Sequence, residues 1–145
     1  MTKRRRELAR RVAAALLAWV VLDGHPAAAQ MFGMDPGEVL FGECRECHTF
    51  EAGAPNGRKG PNLWGVFGRR AGTAPNFDYS PELKASGIVW TETTLEKWLR
   101  NPRAWIPATK MEFQVPNDEQ REYILEYMRN ADIAGYMKAL QGMKD

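Results

Sequence analysis

The chain has 145 residues, with 20 basic and 18 acidic side chains and 44% hydrophobic residues. That length suits one domain, and the near balance of charge argues against a basic nucleic-acid binder. Residues 31–145 hold only Cys44, Cys47 and His48, too few for a structural zinc site, which wants four Cys or His ligands.

Residues 1–29 read as a cleavable secretory signal peptide. Lys3, Arg4, Arg5, Arg6, Arg10 and Arg11 form a basic start, Val12 to Leu22 is an apolar run of 11 residues, and Ala27-Ala28-Ala29 is a cleavage signal. The run falls short of the roughly 20 residues that span a bilayer, so removal is favoured over a retained anchor. The leader takes six basic and two acidic residues with it. The remainder, 116 residues, holds 14 basic and 16 acidic side chains, a charge of about −2, and His48 as its sole histidine. The expected location is the periplasm.

Asp35-Pro36 predicts the start of a helix, with Asp35 as N-cap, Pro36 at N1 and Glu38 as a capping-box partner; it runs to about Arg45. Gly53 to Gly68 reads as an irregular loop, broken by Gly57, Gly60, Pro61 and Gly65. Ser80-Pro81 opens a short helix that Gly87 stops. Thr91 caps another, through Leu95, Trp98 and Leu99, that ends at Asn101-Pro102. Asn117 with Gln120 opens the last helix, whose Tyr123, Ile124, Tyr127, Met128 and Ala131 share one apolar face. No segment shows sustained strand alternation. Ile133, Tyr136, Met137 and Leu140 keep helical spacing, so residues 132–145 read as an extension with one or two amphipathic turns, or as a tail. The fold class is all-α, with long loops.

The first helix delivers Cys44-Arg45-Glu46-Cys47-His48. A C-x-x-C-H string is the attachment signal for a c-type haem: the two thiols form thioethers and the adjacent imidazole reaches the iron. A redox C-x-x-C would need a βαβ context, and half a zinc site would need two more ligands. A large apolar haem would also supply interior to a small domain. Six-coordinate iron then needs a partner opposite His48. With no second histidine left, a thioether is the candidate. Met31, Met34, Met137 and Met143 lie near chain ends, and Met128 lies on the apolar face of the last helix. Met111 sits in a stiff stretch between Pro107 and Pro116, which suits a ligand on a loop.

From about Asp35 to Ala131 the chain resembles the class I cytochromes c, of the bacterial type close to the mitochondrial protein. The resemblance rests on Cys44-x-x-Cys47-His48, Gly60-Pro61-Asn62-Leu63, Val66-Phe67-Gly68-Arg69, Asn76-Phe77-Asp78-Tyr79, Gly87-Ile88-Val89-Trp90 and Pro107-x-Thr109-Lys110-Met111. It implies a small cytochrome c fold of four to five helices around one covalent haem c. It further implies that the Pro61 carbonyl holds His48 Nδ1, and that Arg69, Tyr79 and Trp90 serve the propionates. Trp98 would lie in the haem pocket, where the family more often has tyrosine. Thr109 and Met111 belong to the ligand loop. In this comparison Pro36 stands where the family has glycine, Leu40 takes the place of a haem-packing phenylalanine and meets Ile124 and Tyr127, and Leu83 replaces a polar residue near the iron.

The implied function is a soluble periplasmic single-electron carrier, monomeric and not an enzyme. Its partners would be other redox proteins: a membrane cytochrome complex, an oxidase, a reaction centre or a periplasmic dehydrogenase. No nucleic acid and no stable membrane insertion are expected once the leader is gone. Two rivals are a haem enzyme or gas-reactive cytochrome with a displaceable Met111, and a dedicated subunit of one dehydrogenase or oxidase. Lys59, Arg103, Lys110 and Phe113 are the residues expected nearest the exposed haem edge.

Overall fold

Asp35 turns its carboxylate onto the backbone N–H groups of Gly37 (2.7 Å) and Glu38 (3.2 Å). Those donors would otherwise be orphans of the first turn, and α1 follows over Pro36–Arg45. In this computed structural model residues 33–142 are described; residues 1–32, on which the signal-peptide expectation falls, and residues 143–145 lie outside them. Ser80 caps α2 (Pro81–Ala85) through the Leu83 N–H. Thr91 and Thr94 form a reciprocal capping box for α3 (Glu92–Arg100). Asn101 both ends α3 and caps a further single turn, α4 (Pro102–Trp105). Asn117 accepts from Gln120 N–H at 3.0 Å, and α5 (Asp118–Gly142) runs on from there.

One helix is additional to the sequence reading. The short α4 was not anticipated, because Asn101-Pro102 reads as a stop although Asn followed by Pro is equally a cap and first-turn pair. Helix α5 passes Ala131 without a break and continues to Gly142, the helical alternative for the extension rather than the tail, and longer than the one or two turns expected. Among the described residues there are no strands; an isolated antiparallel bridge joins Arg70 to Val89. No described helix is long and apolar enough to cross a membrane.

The core forms where α1 and α3 pack on α5. Phe41, Leu95, Trp98, Leu99, Ile124, Leu125 and Met128 are buried together. Here the residue pairing inferred for α1 is corrected by one position. Gly37, not Pro36, is the glycine of the crossing: a Cβ there would lie 2.1 Å from the Tyr123 carbonyl oxygen and 2.6 Å from Tyr127 Cβ. Phe41, not Leu40, is the inward aromatic. It is 0% exposed and its ring stands 5.4 Å from that of Tyr127 and 4.9 Å from that of Phe50. Leu40 is only partly buried at the margin of this cluster. The reason is helical phase against α5: Gly37, Phe41 and Cys44 share the buried side of α1, and Leu40 stands off it.

Between the helices the chain is held by side chains bonding to backbone. Asn62 donates to the carbonyls of Glu51 (2.8 Å) and Ala54 (2.9 Å) and accepts from Trp64 N–H. Asn56 donates to Pro75 and Asn76 carbonyls and accepts from Asn62 N–H. Arg121 is fully buried and serves the carbonyls of Val115 (2.6 Å) and Pro116 (2.8 Å), while pairing with Glu96 at 2.8 Å and with Asp118. It fastens the stretch before α5 to both α5 and α3.

Candidate haem-attachment site

Helix α1 ends so that Cys44 faces the core and Cys47 follows in the turn. His48 N–H returns to the Cys44 carbonyl at 2.9 Å, which closes the segment tightly. Both cysteines are free thiols. Burial, aided by nearby Glu43, pushes the Cys44 thiol up to about 11. It is therefore protonated near neutrality, unlike the depressed thiols of redox C-x-x-C motifs.

The His48 ring is fixed from two sides. Its Nδ1–H donates to the Pro61 carbonyl at 2.8 Å. Gly60 lies flat against the ring, and a Cβ there would fall 2.2 Å from His48 Cε1. Pro61 is in turn held by the backbone bonds of Lys59 and Gly60 to the Cys47 carbonyl and of Leu63 to Thr49. Burial lowers the His48 pKa, with the Pro61 carbonyl opposing. The imidazole thus stays neutral with Nε2 as its free acceptor, the state a metal ligand needs.

Met111 is partly buried, and its Sδ accepts the indole N–H of Trp98 at 3.1 Å. Its backbone N–H donates to Thr109 Oγ1 at 3.3 Å, and Thr109 is buried. Trp98 stacks edge-on against Trp90 with ring centroids 5.3 Å apart. Sequence reasoning placed Trp98 in the pocket but not its bond to sulfur; an indole is donor only, so a weak acceptor beside it was the available signal.

Arg69 is half-buried, and its guanidinium donates to the Asn62 (2.9 Å) and Trp64 (3.2 Å) carbonyls. Desolvation lowers its pKa, opposed by Tyr79 and Asp132. Tyr79 is partly buried and packs edge-on against Phe77, with its hydroxyl pKa raised by burial. A cavity of about 660 Å³ opens beside this group, lined by Arg69, Asn62, Trp64 and Asn76 among others. Cys44, His48 and Met111 do not line it. Leu83 is buried, as its apolar character implies.

Two of the three basic residues expected near the exposed edge are ion-paired. Lys110 Nζ contacts the Asp78 carboxylate, and Arg103 pairs with Glu112. Phe113 is exposed.

No protein-family model matches the chain. It is 42% identical over 114 residues to cytochrome c2 of Blastochloris viridis, a match that covers 78% of this chain and 87% of that one. It is 40% identical over 103 residues to cytochrome c of Sesamum indicum, covering 66% and 92% of the two chains. Against cytochrome c-550 of Nitrobacter winogradskyi it is 36% identical over 107 residues, covering 73% and 97%. With these likenesses extending over nearly the whole of their counterparts, and with helices and no strands among the described residues, the chain belongs to the class I cytochromes c.

Proposed function

We propose that this chain is an exported mono-haem cytochrome c that carries single electrons between larger redox proteins. Cys44 and Cys47 would hold haem c covalently, and His48 Nε2 and Met111 Sδ would be its axial ligands. The observation that carries this reading is the pinned His48 ring, with Nδ1–H on the Pro61 carbonyl at 2.8 Å. That bond selects the tautomer with Nε2 free and makes it a better donor. The donor set fits the group: two thiols three residues apart, a neutral imidazole, and a thioether on a loop braced by Thr109.

When bound, the haem supplies a one-electron iron couple whose potential His/Met ligation raises. The protein's residues orient and shield. Trp98 fixes the Met111 sulfur, Thr109 fixes its backbone, and the buried Trp90, Trp98 and Leu83 exclude water. Arg69, Tyr79 and Trp90 are the residues we assign to the propionates. Were His48 and Met111 both to ligate the iron, no coordination position would be left for a substrate, which favours a carrier over an enzyme. Residues 1–29 would direct export to the periplasm, leaving 30–131 as the cytochrome domain. Its partners would be a membrane cytochrome complex, an oxidase, a reaction centre or a periplasmic dehydrogenase.

Acid–acetone extraction and peptide mass spectrometry test the attachment: haem should remain on the Cys44–Cys47 peptide at one per chain. Met111→Ala should open the iron to CO or cyanide and lower the potential. Freely extracted haem, or a methionine-ligated spectrum that survives Met111→Ala, overturns the respective part.

A further inference from the structure

The part of α5 that lies past Ala131 makes two contacts with the loop that carries Pro61. Asp132 Oδ1 accepts the Gly65 N–H at 3.0 Å. One turn on, Gly135 lies against the Trp64 indole: a Cβ at 135 would fall 2.0 Å from Cζ2 and 2.1 Å from Cη2. No side chain other than hydrogen leaves the ring its place. Trp64 is the hub of that loop. Its N–H donates to Asn62 Oδ1, its carbonyl accepts from Arg69, and its ring packs on Phe50 with centroids 5.7 Å apart. Three residues earlier stands Pro61, whose carbonyl holds His48.

The opposite side of the same helical segment behaves differently. Ile133, Tyr136, Met137 and Leu140 are 56%, 65%, 51% and 38% exposed. The extension is therefore fastened to the domain by its polar and smallest residues, not by its apolar stripe. Two independent contacts converge on adjacent loop residues, Trp64 and Gly65, and both come from the part of α5 past Ala131.

We infer that Asp132 and Gly135 are positioning residues for the 60–65 loop, so that the C-terminal extension helps fix the Pro61 carbonyl against His48. The inference rests on the haem reading above for its functional meaning. The physical link is short: a hydrogen bond and a ring contact remove freedom from Trp64-Gly65, the loop's own bonds to Cys47 and Thr49 transmit that order to Pro61, and Pro61 sets the ring.

The test is amide hydrogen exchange and ring-proton NMR on the full chain as purified. Asp132→Ala and Gly135→Ala should each speed exchange at Gly60, Leu63 and Gly65 by about tenfold, the scale of one lost hydrogen bond, and broaden the His48 Nδ1–H signal. Amides in α1 and α3 should keep their rates. Asp132→Asn retains an oxygen for Gly65 N–H and should behave as the natural chain does, as should Ile133→Ala on the exposed side. Unchanged rates at 60–65 in both disruptive variants overturn the proposal, and so does a uniform acceleration throughout the chain. If Asp132→Asn matches Asp132→Ala, the hydrogen bond is not the agent and the proposal falls. Failure of the haem reading would show separately, as the absence of a covalent adduct on the Cys44–Cys47 peptide of the natural chain.

Discussion

The α1–α5 crossing and the loop between Gly53 and Tyr79 hold together by different physics. At the crossing, regular helices satisfy their own backbone groups and join through apolar side chains: Gly37 admits close approach, and Phe41, Ile124 and Met128 fill the seam. In the loop there is almost no regular structure, and buried backbone groups still need partners. Asn56, Asn62 and Arg69 supply them one carbonyl at a time. The residues proposed to hold the haem draw on both. Helix α1 brings Cys44, and the loop positions His48 through Pro61. Cores resist change in proportion to volume, whereas a polar-stapled loop resists through a few specific bonds, each of modest net strength.

That contrast can be broken most sharply at Phe41. It is fully buried, so Phe41→Ala should cost roughly 3–5 kcal/mol, read as a global fall in chemical-denaturation midpoint with no change in slope. A loss near that of a surface site would mean the seam relaxes to fill the void. Gly37→Ala probes the same seam from the other side. Its Cβ meets Tyr123 backbone at 2.1 Å, so the helices must part, at an expected cost of about 1–3 kcal/mol for overpacking. Gly42→Ala, where a Cβ meets nothing within 4 Å, serves as the matched control and should be neutral or stabilising.

Asn62→Ala sharpens the other half. It removes two donors and one acceptor from the loop, and should cost about 1–3 kcal/mol. The loss should fall on exchange rates at residues 51–64 before it reaches α5. If core and loop amides accelerate equally, the two regions unfold as one unit and the distinction drawn here is wrong.

The smallest effect concerns acid. Glu96 has its pKa lowered chiefly by its hydrogen bond to Arg100, then by Arg121. A carboxyl depressed in the folded state contributes stability above its unfolded value, about 4.3, and loses it as pH falls through the folded value. Glu96→Gln should therefore lower stability slightly at neutral pH and flatten its decline below about pH 4.3. Equilibrium denaturation across that range is the measurement; an unchanged acid slope would assign the decline to other carboxylates. The partial exposure of Glu96 keeps this contribution small.

Much of this molecule was legible before its structure. Asp35, Ser80, Thr91 and Asn117 each start a helix where the local chemistry predicts, because a side-chain oxygen answering an unpaired N–H is a matter of a few adjacent residues. The C-x-x-C-H string is equally local. The single-position error at α1 shows where such reasoning stops. Whether Leu40 or Phe41 faces inward depends on helical phase against a helix some 80 residues away, and both residues are apolar. Likewise Arg121 reads as a surface charge from its neighbours, yet it is buried because Val115, Pro116 and Glu96 converge on it.

What the sequence alone determined, then, was the set of short-range facts: every helix start but that of α4, the loop breakers and the C-x-x-C-H string. What only the tertiary structure decided were contacts between distant segments that carry no local signal. The Trp98 N–H on Met111 sulfur, the Gly135 niche for Trp64, and the Asp132 cap on Gly65 all join residues whose pairing no periodicity encodes. A hydrogen bond or a close packing contact is fixed by ångström-scale placement of backbones, and that placement follows from how the whole chain closes around its core.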